Sequence, residues 1–139
     1  MNRCIGVLDS GIGGLTVVKE LQKQLPGEDI LYFGDNKNCP YGNRSGEDIL
    51  ALTMNMLEFM KQNDVKTVAI ACNTISTLID YYKDKFDFSI IDITKPTIDY
   101  IINMNIYDIA ILGTEFTIKT GKYEKLLHEK NPNIRVINE

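Results

Sequence analysis

The sequence predicts an α/β protein built on a doubly wound, flavodoxin-like parallel sheet. Three observations carry that prediction. Short apolar runs, rich in β-branched residues and mostly without polar alternation, recur along the 139 residues, as in strands covered on both faces. Between them lie segments whose apolar residues fall three and four apart, the period of an amphipathic helix. Small polar residues collect where each run ends. Strands alternating with helices close as a parallel sheet with right-handed crossovers.

Taken in order, the predicted strands are Cys4–Leu8, Ile30–Gly34, Thr67–Ala71, Ser89–Ile91 with Ile93 nearby, Ile109–Leu112 and Ile134–Ile137. The first helix runs Leu15–Leu25, with Leu15, Val18, Leu21 and Leu25 on one stripe, and Pro26-Gly27 stops it. Ser45 caps the second, with Asp48 three residues on and Ile49, Leu52, Met56 and Met60 on its inner face. Ile75–Tyr82, Pro96–Met104 and Ile118–Glu129 are the remaining helices. No repeat, low-complexity tract or Gly/Ser-rich linker interrupts the series.

Composition narrows the function classes. With 44% apolar and 24% charged residues, the chain can bury a core and is not of the disordered type. No run approaches the ~20 apolar residues of a membrane span, and the N-terminus lacks the apolar region of a secretory signal. A net charge of −4 counts against nucleic-acid and anionic-membrane binding, which call for a basic face. Cys4, Cys39 and Cys72 match no zinc or CxxC spacing. A reduced, cytoplasmic setting is therefore expected, with no metal and each thiol a candidate reagent.

In open α/β sheets, ligands bind beyond the carboxyl ends of the strands. The turns there are Asp9-Ser10-Gly11, Gly34–Gly42, Cys72-Asn73-Thr74, Asp92–Lys95 and Gly113–Thr117. Asp9–Gly14 (DSGIGG) lets backbone N–H groups approach an anion. Thr16 stands where a dinucleotide fingerprint needs its third Gly, and no Walker lysine follows. Asp9 is either a base or orienting group, or, with Ser10, a helix cap.

Cys72 precedes a predicted helix, a position that favours a thiolate, and Asn73 and Thr74 add donors suited to a carboxylate or oxyanion. The competing reading is a buried, inert cysteine. Asp35–Gly42 (DNKNCPYG) is long and polar for a simple connection; Tyr41-Gly42 can present a hydroxyl and bare N–H groups, or form an ordinary surface turn. Thr114 and Thr117 either bind an anion or cap the helix that follows. Cys4 reads as core and His128 as solvated. No other histidine is available for a Ser/His/Asp triad.

Together these turns resemble one family. Ile5–Val17 (IGVLDSGIGGLTV) is similar to the N-terminal signature of the glutamate branch of the aspartate/glutamate racemases. Tyr32-Phe33-Gly34-Asp35, Pro40-Tyr41-Gly42, Ala71-Cys72-Asn73-Thr74 and Gly113-Thr114-Glu115 with Thr117-Ile118-Lys119 and Gly121-Lys122-Tyr123 continue the pattern in order. The resemblance implies cofactor-independent interconversion of L- and D-glutamate, supplying D-glutamate for peptidoglycan. It makes Cys72 one catalytic thiol and Asp9 its assisting carboxylate. Ser10, Pro40, Tyr41, Gly42, Asn73, Thr74, Thr114 and Thr117 would line the substrate site.

A thiol suits this chemistry. Inverting Cα means removing a weakly acidic proton from one face and delivering one to the other, so two groups with pKa near ambient pH are needed. Without an electron sink, the carbanion must be held by dipoles in a closed site. In the family the second thiol lies in a Gly-Cys-Thr-His block of the second half. No such block occurs here. The resemblance thus covers an N-terminal half, residues 1–93 as most of a first domain and 94–139 as the opening of a second. Such a chain is expected to be inactive alone, and to pair as a homodimer over surface left uncovered. The competing expectation is a non-catalytic α/β module binding a small carboxylate or a partner.

Overall fold

The computed structural model describes residues 3–139; Met1 and Asn2 lie outside the described residues. Four parallel strands, β1 (Ile5–Asp9), β2 (Ile30–Gly34), β3 (Thr67–Ile70) and β4 (Ser89–Asp92), form one sheet in the order β2-β1-β3-β4. The chain therefore leaves β1 to one side and returns on the other, as a doubly wound sheet does, which places a switch point between β1 and β3. Because all pairings are parallel, with Asp9 beside Gly34 and Ile70 beside Asp92, the carboxyl ends of the strands share one edge.

Helix α1 (Leu15–Gln24) packs along the edge strand β2, and α2 (Gly46–Gln62) covers the other face. As expected, Ser45 caps α2, its Oγ accepting from the Asp48 N–H at 3.1 Å. The inner face of α2 is Ile49, Thr53, Met56, Leu57 and Met60; Leu52, expected there, is only half-buried. Gly6 lets this helix close down, since a Cβ there would come within 2.8 Å of Met60 Sδ. The stripe on α1 is half covered: Val18 and Leu21 are partly buried, while Leu15 and Leu25 are exposed.

Two predicted helices are split. Over 75–82 the chain forms α3 (Asn73–Ser76) and then a 3-10 turn at Ile79–Tyr81. Here Thr77 Oγ1 donates to the Thr74 carbonyl and Tyr82 Oη to that of Ile75, and such side-chain bonds compete with the helical ladder. Over 118–129, Gly121 adopts the left-handed conformation, φ 60°, and separates α5 (Glu115–Thr120) from α6 (Lys122–Lys130).

A second parallel pair, β5 (Asp108–Ile111) with β6 (Arg135–Asn138), packs with α4 (Thr94–Asn103) and α6 around Ile98, Tyr123, Leu127 and Ile134. The larger cluster, centred on Leu8, Met56, Met60, Ile70 and Tyr82, fills the space between the first sheet and α2. Cys4 precedes β1 rather than lying within it and is partly buried against that cluster. His128 is not solvated as expected: it is half-buried, with Nε2 2.9 Å from the Ile134 carbonyl. No described helix is long and apolar enough to cross a membrane.

Candidate active site

The parallel register brings the ends of β1 and β3 side by side, at the switch point of the sheet. Asp9 closes β1 and Cys72 follows β3 as the cap of α3. Ser10 Oγ and Cys72 Sγ stand 3.2 Å apart. Asp9 and Cys72 are both nearly buried, at 6% exposure each.

Asp9 is held from two sides. Its Oδ2 accepts from the Gly14 N–H at 2.9 Å and lies 3.5 Å from Tyr32 Oη. The carboxylate thus anchors the turn leading into α1, which answers half of the expectation that it caps; no side chain caps α1 at Gly14 itself. Tyr32 Oη donates mainly to the Gly11 carbonyl, at 2.8 Å. Burial pushes the Tyr32 hydroxyl up to about 12, with the Asp9 carboxylate and Cys72 adding to it. It therefore stays a protonated donor. The turn fits only because residue 34 is glycine: a Cβ there would lie 2.2 Å from the Gly11 carbonyl oxygen.

The 35–42 loop is built on Asp35, a buried carboxylate that sequence reasoning passed over. It accepts from Tyr41 Oη at 2.6 Å and from Asn38 Nδ2 through both oxygens, at 3.0 and 2.9 Å. Arg44 then clasps the Asn38 carbonyl through Nε and Nη2. The Tyr41 hydroxyl, which the loop could have presented to a ligand, donates to Asp35, and its ring is buried. Burial raises the Tyr41 hydroxyl strongly, and Asp35 adds to it. Pro40 and Cys39 are exposed. Cys39 Sγ lies 3.4 Å from where a Gly11 Cβ would sit, beside the first turn.

Three hydroxyls cluster where α3 meets α5. Thr74 Oγ1 is 2.9 Å from Thr114 Oγ1 and 3.4 Å from Thr117 Oγ1, and the last two are 2.9 Å apart. Thr114 is also the cap of α5, as one of the two readings had it, its Oγ1 accepting from the Thr117 N–H. Gly42 packs flat on it; a Cβ there would meet Thr114 Cβ at 2.6 Å. Asn73 is exposed, and its Oδ1 accepts from Tyr123 Oη at 2.5 Å. Tyr123 belongs to the Gly121-Lys122-Tyr123 stretch, and no local pattern joins it to a residue 50 positions away.

A cleft of about 400 Å³ opens on Asn73, Thr114, Thr117 and Tyr123, with Ile101, Ile109 and Ile111 as its apolar side. A larger one, about 710 Å³, lies between β4, α4 and α6 and contains none of the predicted site residues. The smaller cleft takes in Asn73, Thr114 and Thr117 of the predicted site residues, while Asp9, Ser10 and Cys72 lie outside its lining. Among the described residues no group of three or more His, Cys, Asp or Glu could hold a metal ion. The residues on offer are a thiol with a hydroxyl partner, a carboxylate next to that hydroxyl in the chain, and a cluster of threonine hydroxyls.

This chain belongs to the Asp/Glu/Hydantoin racemase family, whose sequence profile matches residues 5–138. Within it, the chain is similar to glutamate racemases: that of Rippkaea orientalis is 42% identical over 136 residues, covering 97% of this chain and 48% of its own length. The glutamate racemase isoform RacE1 of Bacillus anthracis superposes with a TM-score of 0.93 at 39% identity, over 98% of this chain and 52% of that one. The Francisella tularensis enzyme, solved in complex with D-glutamate, gives 0.92 at 40% identity, over 99% and 52%. This chain spans about half the length of these relatives.

Proposed function

We propose that this chain supplies the Cys72 side of a cofactor-independent glutamate racemase. The observation that carries the reading is the meeting of Ser10, Cys72 and the adjacent Asp9 at the switch point between β1 and β3. Similarity to glutamate racemases over nearly the whole chain supports glutamate as substrate. As thiolate, Cys72 takes the Cα proton from one face and returns it as thiol, the electron pair resting on the carbanion in between. Asp9 assists that transfer. Ser10, Asn73 and the threonines 74, 114 and 117 hold the substrate's charged groups, with the Pro40–Gly42 backbone as the floor.

The opposite face needs a second acid–base group. Neither Cys4, packed on the core, nor Cys39, exposed beside the first turn, occupies a position like that of Cys72. The chain alone is therefore expected to exchange one enantiomer's Cα proton without inverting it. D-glutamate made by the complete enzyme would serve peptidoglycan synthesis in the cytoplasm. Residues 1–93 and 94–139 correspond in this reading to a first domain and the opening of a second. Exposed Ile91, Leu112 and Ile137 support burial against further polypeptide, a second copy included.

NMR of L- and D-glutamate in deuterated buffer tests the reading. Exchange at Cα of one enantiomer, lost in Cys72→Ala, is expected. Binding without exchange of either would overturn it and favour a non-catalytic module, and light scattering settles the dimer.

A further inference from the structure

Asn73 carries an amide whose two ends have opposite chemistry: Oδ1 accepts, Nδ2 donates. Which end faces the cleft decides what ligand group it can take. Tyr123 Oη donates to Oδ1 at 2.5 Å, so the accepting end is turned towards the tyrosine. The tyrosine is a rigid anchor. Its ring is 9% exposed and packs with Ile98, Leu127 and Ile134 around α6. Burial pushes its hydroxyl up to about 12, which keeps the proton on Oη and the direction of the bond fixed. Both side chains line the cleft of about 400 Å³ shared with Thr114 and Thr117.

From this geometry we infer that Tyr123 is a positioning residue: it fixes the Asn73 amide so that Nδ2 faces the cleft as a donor to an anionic oxygen, a ligand carboxylate. The inference rests on the glutamate reading above and adds a residue outside the turns at the strand ends. The device also ties two parts of the molecule, because Asn73 opens α3 beside the first sheet and Tyr123 belongs to α6 of the second cluster. Loss of the hydroxyl leaves Oδ1 free and lets the amide turn its acceptor towards the carboxylate.

The test uses the whole chain, 15N-labelled, with the Asn73 side-chain amide followed by NMR during titration with D- and L-glutamate. Tyr123→Phe keeps the ring and removes only the hydroxyl. It is expected to shift the Asn73 Nδ2 signals before any ligand is added and to weaken glutamate binding about fivefold to tenfold, the scale of one lost hydrogen bond. Asn73→Asp, which replaces the donor by a carboxylate, should bind worse than Asn73→Ala; a purely structural role would not order the two in this way. The double variant Tyr123→Phe/Asn73→Ala should bind no worse than Asn73→Ala alone. If Tyr123→Phe binds like the parent chain, or if the two substitutions add independently, the inference is wrong while the glutamate reading stands. If the parent chain binds neither enantiomer, the glutamate reading fails and this inference with it.

Discussion

Ser10 Oγ and Cys72 Sγ stand 3.2 Å apart although 62 residues separate them. The contact exists because β1 and β3 are adjacent and parallel, so the turns after them emerge at the same edge. Ser10 is the hydrogen-bonding side chain found beside the thiol among the described residues. Ser10→Ala should therefore slow deuterium exchange at glutamate Cα roughly tenfold while changing thermal stability little, as one partly exposed hydrogen bond would. An unchanged exchange rate would detach Ser10 from the chemistry.

Two glycines are required by contact rather than by backbone conformation. Gly34→Ala places a methyl 2.2 Å from the Gly11 carbonyl oxygen, a backbone atom that cannot move aside alone. Its cost should exceed the ~1–3 kcal/mol of ordinary overpacking, read as a lowered urea midpoint or failure to fold. Gly42→Ala meets the Thr114 side chain at 2.6 Å. Adding Thr114→Gly, a residue tolerated as a helix cap, should restore part of that loss.

The Asp35 carboxylate organises its loop through Tyr41 and Asn38. Asp35→Ala leaves the buried Tyr41 hydroxyl without its acceptor, which costs about 1–3 kcal/mol. Amide hydrogen exchange should speed up over residues 36–42 and stay unchanged in α2. Unaltered exchange in the loop would mean that Arg44, gripping the Asn38 carbonyl, holds it without help.

Alkaline pH should unfold the chain by a route open to calculation. Tyr32 and Tyr123 are pushed up to about 12, chiefly by burial, and the hydroxyls of Tyr41 and Tyr82 are raised further. In the unfolded chain a tyrosine ionises near ~10. The native state therefore holds protons that the unfolded state releases, and stability present below pH 10 declines as pH rises through 12. Urea midpoints measured from pH 8 to 11 should be level at first and fall beyond 10. Tyr82→Phe should make that fall shallower. At neutral pH it should cost about 1 kcal/mol, because the Ile75 carbonyl keeps the Leu78 N–H after the hydroxyl is gone.

Much of this molecule was legible in its sequence. The alternation of strands and helices, the Ser45 and Thr114 caps and the turns at the strand ends all depend on residues within four positions of one another, where period and capping chemistry are local. The helix breaks at Gly121 and after Ser76 were less so: one depends on a single left-handed residue, the other on Tyr82 reaching back to Ile75.

The sequence by itself determined which side chains stand at the carboxyl edge of the sheet. Only the tertiary structure decided which of them meet. Cys72 received Ser10 as its neighbour, Thr74 met Thr114 across 40 residues, and Asn73 met Tyr123 across 50. Tyr41, which could have offered its hydroxyl to a ligand or sat in an ordinary turn, turns it inward to Asp35. Such pairings follow from strand order and from how the two apolar clusters pack, and neither leaves a periodic trace in the chain. A buried hydroxyl must find a partner wherever packing places it, and only the folded chain fixes that place.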